Sequence, residues 1–308
     1  MDNTKPFIKW IGGKTQIIDN VLNTFPTIMN NYYEIFLGGG SVLLSLLNKI
    51  ESNDITIKKN IYACDINEAL IYTYINIQTN IKSLIKYLKK YKDVYESIDG
   101  DIIIKKAKDK SDSLTLQESY YYYIRNKYNS CDDKQSIKAS ALFIFLNKTC
   151  FRGMFRESKN GFNVPFGHYK KPEIYNKEHL KSISKLIKDV KFKHVDCMKI
   201  LQKPKKGDFI YLDPPYFPEK TTSFVKYTIN DFGIDKHKML FERLVELNDE
   251  KINFVLNNSN VEFVKNYFTN KKHFTIIIID CKRRINAKNP ESVCKEIIIV
   301  SKQNFIIL

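Results

Sequence analysis

Residues 208–216, with the sequence DFIYLDPPY, constrain the fold more than any other part of the chain. Four apolar residues that end in a carboxylate and two prolines predict a buried parallel strand stopping at Asp213, the strand end where open α/β sheets bind ligands. Because proline has no N–H, the carbonyl groups around Pro214 and Pro215 are expected to stay available as acceptors beside the ring of Tyr216. One carboxylate, exposed carbonyls and one ring suit a planar amine. Taken alone, a strand followed by a tight turn explains the same residues.

The charge of the chain favours a polyanionic partner. The 308 residues include 50 Lys plus Arg and 34 Asp plus Glu, which gives a net charge of +16. Such an excess suits nucleic acid, whereas an acidic small molecule needs only a local patch; a lysine-rich solvated surface is the alternative. The length and the 43% hydrophobic residues suffice for one large domain or two of ordinary size.

Cysteine spacing and hydropathy indicate where the protein works. The six cysteines have no close pairs, which favours a reducing compartment over a disulfide framework, and the five histidines lack metal-site spacing. No apolar stretch is long enough to span a bilayer, and the first residues lack a signal-peptide pattern. We therefore expect a cytoplasmic protein with no metal and no membrane partner, and we expect it to be a monomer or weak dimer.

Two glycine-rich segments precede predicted helices near the N-terminus. One is residues 9–14, KWIGGK; the other is residues 37–41, LGGGS, between a predicted strand over residues 32–36 and a predicted helix over residues 42–49. Such loops let the backbone approach a nucleoside-type cofactor at a helix N-terminus. A phosphate-binding P-loop is a weak interpretation, because Ile8 stands where that motif needs glycine.

An acidic residue follows the next predicted strand. Residues 60–64 form that strand, and Asp65 comes between it and a helical pattern over residues 67–71. A carboxylate in this position can accept hydrogen bonds from both hydroxyl groups of a ribose. The alternative is that Asp65 caps the helix.

The middle of the chain predicts a helical insertion and a loop that probes DNA. Residues 81–140 have a helical periodicity rich in Lys and Tyr, and residues 147–156, NKTCFRGMFR, then alternate bulky apolar residues with arginines. Arginine can read a guanine edge and an aromatic ring can wedge into a base stack, although an ordinary exposed hairpin explains the same composition. Residues 161–171 continue this basic, turn-rich surface.

The last third of the chain returns to alternating strands and helices. Strand patterns fall at residues 192–195, 208–212, 253–257, 274–279 and 296–300, with helical patterns such as residues 237–247 between them. With the two N-terminal strands they predict an α/β fold, a mainly parallel sheet with helices on both faces. The last two strands are expected to form an antiparallel hairpin at the sheet edge, with residues 281–291 as a basic loop.

Five motifs occur along the chain in a fixed order: KWIGGK at 9–14, FLGGGSV at 36–42, DIN at 65–67, FNVPFGHYK at 162–170 and DPPY at 213–216. In these motifs the chain resembles the Dam-type (D12 class) DNA adenine-N6 methyltransferases nearly from end to end. The resemblance implies a Rossmann-like, mainly parallel catalytic domain made of residues 1–76 and 173–308. It also implies a mostly helical, inserted target-recognition domain, residues 77–172, with S-adenosylmethionine as cofactor and double-stranded DNA as substrate.

The resemblance further implies roles for individual residues. The implied catalytic residues are Asp213, Pro214, Pro215 and Tyr216. The implied cofactor contacts are Trp10, Gly12, Gly13, Lys14, Phe36, Gly38, Gly40, Ser41, Asp65, Ile66, Asp196, Cys197 and Asp213. Contacts to DNA are implied for Lys9, Phe151, Arg152, Met154, Arg156, Pro165 and Lys170. Arg152 departs from the small polar residue common at its position in the family.

The implied reaction is methyl transfer to adenine N6, with GATC as the leading target. The N6 lone pair is delocalised into the ring, so the site must position the amine; Asp213 and the Pro214 carbonyl would each accept an amino hydrogen. The base must flip out of the duplex, where Tyr216 would stack on it while Phe151 fills the gap.

Alternative functions stay open at this point. Related motifs occur in methyltransferases acting on cytosine N4 or on glutamine, where Ser or Asn replaces Asp213. A DNA-binding homologue without catalysis is a further alternative, against which the intact Asp213, Tyr216, Asp65 and Lys14 argue. Pairing with a restriction endonuclease is equally open.

Overall fold

The computed structural model describes residues 4–100, 103, 105, 109–217, 232–269, 273–282 and 293–301. The strands among them are β1 (Ile28–Met29), β2 (Tyr32–Glu34), β3 (Thr56–Ile57), β4 (Ile61–Asp65), β5 (Glu157–Ser158), β6 (Gly161–Phe162), β7 (Val190–His194), β8 (Phe209–Leu212), β9 (Asn253–Ser259), β10 (Phe274–Lys282) and β11 (Val293–Ser301). The helices are α1 (Ile18–Leu22), α2 (Ser41–Glu51), α3 (Glu68–Ser97), α4 (Lys110–Ser113), α5 (Gln117–Asn129), α6 (Ile137–Thr149), α7 (Lys177–Leu186), α8 (Cys197–Ile200), α9 (Ile234–Asp249) and α10 (Glu262–Thr269), with a 3-10 turn at Phe151–Gly153. No helix in these ranges combines the length and apolar character needed to cross a membrane.

The main sheet has the strand order β10-β11-β9-β8-β2-β4-β7. Strands β7, β4, β2, β8 and β9 run parallel, and β11 is antiparallel to both of its neighbours. The predicted α/β fold with a mainly parallel sheet is therefore confirmed. Chain order leads from β2 outward through β4 to β7, and from β8 in the other direction to β9. Ligands of open α/β sheets bind where this winding reverses, here between β2 and β8.

The last two strands form the predicted antiparallel hairpin, but they are longer than predicted and lie differently. They pair from Phe274 opposite Ser301 to Lys282 opposite Val293, and the opposite charges of Asp280 and Lys295 face each other across the ladder. Cys281, predicted to lie in the loop, belongs to β10, since pairing continues past the apolar run. Because β11 also pairs with β9, only β10 of the hairpin lies at the edge of the sheet. The rest of the predicted loop, residues 283–291, lies outside the described residues.

The helical pattern of residues 81–140 is borne out by α3, α4, α5 and the start of α6. Aromatic side chains join these helices, since Tyr95 and Tyr120 both meet the ring of Phe145 edge-on, with centroids 5.6 and 5.8 Å apart. The backbone of α3 is non-helical at Asn80, close to the predicted domain boundary. Apolar residues of these helices share one cluster with one face of the sheet, and the boundaries at residues 77 and 172 stay a prediction.

Glu34 is a buried carboxylate in the central strand β2. Its side chain is 1% exposed and accepts a hydrogen bond of 2.8 Å from Tyr32 Oη. Burial raises the pKa of Glu34 from 4.5 to about 8, although the bond from Tyr32 opposes this. A carboxyl group with a raised native pKa binds its proton more tightly in the folded state. Its contribution to stability is therefore complete below pH 4.5 and is lost as the pH rises to about 8.

We expect Glu34→Gln to remove this pH dependence, because glutamine keeps an acceptor for Tyr32 without an ionisable group. At pH 8 the free energy of unfolding should exceed that of the wild type by about 1 kcal/mol or more, since one pKa unit is worth about 1.4 kcal/mol. Urea unfolding at pH 5 and pH 8 measures the difference. An equal difference at both pH values would contradict the assignment.

Candidate functional site

The candidate site lies where four parallel strands end at one edge of the sheet. Strand β2 leads into the glycine loop, residues 37–40, and β4 ends at Asp65. Asp213 directly follows β8, and Asp196 follows β7 after one intervening residue. Because β4 and β8 both pair with β2, Asp65 and Asp213 flank the glycine loop at the point where the winding reverses.

Asp213 forms a buried ion pair with Lys14. The distance between Lys14 Nζ and Asp213 Oδ2 is 2.6 Å, and the side chains are 3% and 17% exposed. The same ammonium donates to the Gly12 carbonyl at 2.5 Å, and the Lys14 backbone N–H donates to Ser41 Oγ at 3.0 Å. The segment KWIGGK is thus fastened both to the carboxylate and to the start of α2.

The second oxygen of the Asp213 carboxylate, Oδ1, takes no part in the ion pair with Lys14. Burial raises the pKa of Asp213 to about 6, Lys14 lowers it, and Glu296 raises it, so the group is ionised at neutral pH. Its Oδ1 is buried and has no hydrogen-bond partner in the described part of the chain. An unpartnered buried acceptor is costly, and the position therefore fits a hydrogen-bond donor on a ligand.

Tyr216 and the two prolines are held by separate contacts. The Tyr216 hydroxyl donates to Glu296 Oε2 at 2.5 Å, and the ring lies 4.8 Å from Lys14 Nζ. Pro214 is buried and Pro215 is exposed. The carbonyl of Pro215 lies 3.0 Å from Nε2 of the buried His237 on α9.

The glycine loop is close-packed on both sides. Gly38 and Gly40 adopt left-handed φ values of +49° and +72°. An added Cβ would lie 2.9 Å from Trp10 Cδ1 at Gly38 and 2.1 Å from Tyr74 Oη at Gly40. The half-buried Trp10 also stacks on Phe155, with centroids 5.9 Å apart. Only glycine satisfies both the backbone and the space at these two positions.

Asp65 fixes the loop from the neighbouring strand. Its Oδ2 accepts from Gly38 N at 3.0 Å, and its Oδ1 accepts from Asn67 N at 2.9 Å. Burial raises the pKa of Asp65, and these backbone donors oppose the shift. Asn67, which accepts from Leu70 N at 2.9 Å, is the cap of α3. The alternative that Asp65 is the helix cap is therefore wrong.

The other residues predicted to touch a cofactor lie along the same edge. Phe36 is half-buried and Ile66 is exposed beside Asp65. Asp196 caps α8 by accepting from Met198 N at 2.9 Å, and burial raises the pKa of Cys197 to about 11. Contacts join Trp10, Gly12, Gly13, Lys14, Gly38, Ser41, Asp65 and Asp213. Asp196 and Cys197 follow the outer strand β7. The residue before them, Val195, donates a backbone hydrogen bond to the Asp65 carbonyl, which places them next to this group.

Asn147 ties the N-terminal segment to the predicted DNA-probing residues. Its side chain accepts from Lys9 N at 2.9 Å and donates to the carbonyl groups of Lys9 and Gly153 at 2.8 and 3.0 Å. The prediction of a loop starting at residue 147 is wrong, because α6 continues to Thr149 and buries Asn147. Lys9 itself is exposed, with Nζ 4.0 Å from the ring centroid of Tyr169.

The 3-10 turn carries two exposed residues, Phe151 and Arg152. Phe151 is 42% exposed, and its backbone N–H donates to the carbonyl of the exposed Pro165 at 2.8 Å. Arg152 is exposed with φ +56°, and its guanidinium lies 5.2 Å from the Phe151 ring centroid. Met154 is half-buried.

Arg156 lies at the start of the β5–β6 hairpin and is half-buried. Its Nε donates to Asn163 Oδ1 at 2.7 Å, and its Nη2 lies 3.5 Å from the Asn163 carbonyl. Lys170 is exposed. It lines a cleft of about 360 Å³ together with Lys9, Lys148, Tyr169, Lys171, Pro172 and Glu173.

Sequence reasoning missed five residues that these contacts bring out: Glu34, Asn147, Asn163, His237 and Glu296. Two of them had a signal, because Glu34 stands within an apolar strand pattern and Glu296 stands at the start of one. A charged residue inside such a pattern indicates a buried group with a partner. The other three lie in helices or a turn-rich segment where a polar residue is ordinary.

Fold and site together define an α/β protein whose ligand crevice, with a buried carboxylate, lies next to a basic and aromatic surface. Among the described residues, no three or more His, Cys, Asp or Glu side chains are grouped so that they could hold a metal ion. A family model described as D12 class N6 adenine-specific DNA methyltransferase matches residues 10–285.

Relatives match over nearly the whole chain. The Type II methyltransferase M.MjaIII of Methanocaldococcus jannaschii is 36% identical over 92% of this chain and 93% of its own length. The DNA adenine methylase of Haemophilus influenzae is 29% identical over 94% and 91%. The chain therefore belongs to the D12 class N6 adenine-specific DNA methyltransferase family. Among solved structures, precorrin 8W decarboxylase of Methanobacterium thermoautotrophicum aligns with 99% of this chain and 100% of its own, at 9% identity and a TM-score of 0.40, too low to support an argument.

Proposed function

We propose that the protein transfers a methyl group from S-adenosylmethionine to adenine N6 in double-stranded DNA at GATC, after flipping the adenine out of the duplex. Family membership supports adenine as the methylated base and DNA as the substrate. The observation that carries the site assignment is the buried Oδ1 of Asp213, which has no partner within the described residues and lies beside the proline turn. An amine donor would satisfy this oxygen.

The residues around the glycine loop fit a nucleoside cofactor. S-adenosylmethionine, when bound, supplies an electrophilic methyl group. Asp65 Oδ2 holds the loop through Gly38 N and Oδ1 binds Asn67 N, yet each oxygen keeps a second acceptor position for a ribose hydroxyl. Gly38 and Gly40 let the backbone approach the ligand, and Trp10 covers the loop. Lys14 would hold the cofactor side of the crevice while it orients Asp213.

We expect Asp65→Ala to weaken S-adenosylmethionine binding about ten-fold or more, because charge-assisted hydrogen bonds to the ribose are lost and Gly38 is released. Isothermal titration calorimetry measures the dissociation constant. Cys131→Ser, far from the crevice in sequence and on the helical insertion, is the control. An unchanged dissociation constant for Asp65→Ala would restrict Asp65 to holding the loop.

Asp213 and the Pro214 carbonyl would position the reacting amine. Each accepts one hydrogen of N6, which turns the nitrogen lone pair out of conjugation and stabilises the positive charge that develops on it. Lys14 keeps the Asp213 carboxylate oriented through Oδ2 and leaves Oδ1 for the amine. Tyr216 stacks on the extruded base.

We expect Asp213→Ala to lower the rate of methyl transfer about a hundred- to a thousand-fold, the range for loss of one transition-state hydrogen-bond partner, while DNA binding changes little. The wild-type rate should fall below pH 6, where protonation removes the acceptor. Tritiated-methyl transfer and a filter-binding assay measure the two properties. Near-normal turnover in Asp213→Ala would refute the mechanism.

The exposed turn and the hairpin would read the duplex. Phe151 can fill the place of the flipped base. Arg152, Met154 and Pro165 contact Phe151, and Lys9 lies against Gly153 of the same turn. Arg156 is held by Asn163 through Nε, and its Nη1 has no partner among the described residues. A guanidinium oriented in this way can contact guanine O6 and N7. The contribution of the exposed Lys170 would be a phosphate contact.

We expect Arg156→Ala to relax specificity more than affinity, by about 1–3 kcal/mol of discrimination at the guanine. Lys170→Ala is the matched control; it should weaken binding to all sequences alike and reduce the salt dependence by about one phosphate contact. Methylation rates on duplexes that differ from GATC at one position measure both. If Arg156→Ala lowers the methylation rates on all duplexes by one common factor, Arg156 contacts the DNA backbone and not a guanine.

The remaining assignments are part of the same proposal. We assign residues 1–76 and 173–308 to a Rossmann-like catalytic domain and residues 77–172 to target recognition, in a cytoplasmic monomer or weak dimer. The relatives include Type II methyltransferases and DNA adenine methylases, so both a restriction–modification partner and solitary action fit. Activity on cytosine N4 or glutamine, or DNA binding alone, is the alternative outcome of the methyl-transfer assay.

A further inference from the structure

Glu296 is a charged residue of the site that belongs to none of the five sequence motifs. It lies on β11, and its Oε2 accepts a hydrogen bond of 2.5 Å from Tyr216 Oη. The two residues are 80 positions apart in sequence. The contact is therefore set by the pairing of the strands and not by any local pattern.

The sheet register places Glu296 on the same face of the sheet as Asp213. Strands β8 and β9 pair up to residues 212 and 256, so Asp213 and Asn257 come next to one another. Asn257 lies opposite Ile298 on β11, and Glu296 is two residues from Ile298 on the same face. Two carboxylates thus stand on one face of the sheet, one after β8 and one on β11, with Asn257 and Ser259 on the intervening strand β9.

Tyr216 makes two contacts with charged residues of the site. Its hydroxyl is bound by Glu296, and Lys14 Nζ lies 4.8 Å from its ring centroid. Asn257, on the strand between Asp213 and Glu296, is buried, and neither of its side-chain polar atoms has a partner within the described ranges. The hydrogen bond to Glu296 and the ammonium over the ring hold Tyr216 in its observed orientation.

We propose that Glu296 is a positioning residue that fixes the ring of Tyr216 across the mouth of the Asp213 site before a base enters. The inference rests on the proposed function, in which Tyr216 stacks on the flipped adenine. A phenol that donates to a carboxylate makes a charge-assisted hydrogen bond. A ring fixed in advance loses no freedom when the substrate arrives, so the bond contributes to substrate binding and reaction.

Glu296 also acts on Asp213 through its charge. Burial raises the pKa of Asp213 to about 6, Lys14 lowers it and Glu296 raises it. The other ionisable groups close to these two carboxylates are Glu34, Tyr211 and Tyr216. Removing the charge of Glu296 should therefore lower the pKa of Asp213, which a loss of packing alone does not do.

The test compares Glu296→Gln, Glu296→Ala and Tyr216→Phe in methylation of a GATC duplex. Glutamine still accepts from the hydroxyl, so Glu296→Gln should keep kcat/KM within about three-fold of the wild type, with the acid limb of the pH profile shifted to lower pH. Glu296→Ala should lower kcat/KM about ten- to a hundred-fold, as expected for a lost hydrogen bond to a charged group. The double variant Glu296→Ala with Tyr216→Phe should lower kcat/KM no more than the more harmful single substitution does, because the two substitutions remove the same hydrogen bond.

Asp280→Asn is the matched control. Asp280 is an exposed acid on the adjacent strand β10, so the substitution makes the same charge change away from the crevice and should leave the rate and the pH profile unchanged. A duplex with 2-aminopurine at the target adenine reads the ring position without methyl transfer. Its fluorescence in the Glu296→Ala complex should exceed that in the wild-type complex, because the extruded base loses its stacking partner.

The outcomes separate this inference from the proposed function. An active wild type combined with a wild-type rate in Glu296→Ala, or single effects that multiply in the double variant, overturns the positioning role alone. A wild type that methylates no adenine duplex overturns the proposed function. In that case, equal 2-aminopurine fluorescence for the wild type and Glu296→Ala overturns the inference as well. If Glu296→Ala does not fold, an unshifted pH profile in Glu296→Gln overturns the inference about Glu296.

Discussion

The ion pair between Lys14 and Asp213 is the interaction on which the rest of the site depends. A carboxylate buried at the end of a central strand is unfavourable unless a cation and hydrogen-bond donors compensate it. Lys14 supplies the cation, and it can do so only because Gly12 and Ser41 hold the segment that carries it. The N-terminal segment is therefore a structural requirement of Asp213 as much as a lining of the crevice.

The sheet concentrates negative charge at one place. Glu34 on β2, Asp213 after β8 and Glu296 on β11 stand near the carboxyl edge, and Lys14 is the ammonium that faces Asp213. The pKa of Glu34, raised to about 8 by burial, and that of Asp213, raised to about 6, follow from this crowding as well as from burial. A site of this kind is poised to receive a neutral amine that becomes positive during reaction.

The sequence was sufficient wherever a local pattern decided the structure. The strand before Asp213, the glycine loop and the acidic end of β4 could be predicted because apolar runs, glycines and strand ends have local signatures. Glu296 with Tyr216, and Arg156 with Asn163, could not be paired, since strand register and hairpin geometry bring them together. The predicted start of the loop at residue 147 was wrong, because Asn147 looks like a loop residue in sequence but lies in α6 with its side chain buried.

Asn147 has a consequence for fidelity. One amide side chain satisfies both backbone groups of Lys9 and the carbonyl of Gly153, so the segment that ends at Lys14 is hydrogen-bonded to the turn that carries Phe151. If that turn reads the duplex as proposed, a sequence that fits it badly would act on the same segment that carries the lysine orienting Asp213. Recognition and catalytic alignment would then be linked through one amide side chain.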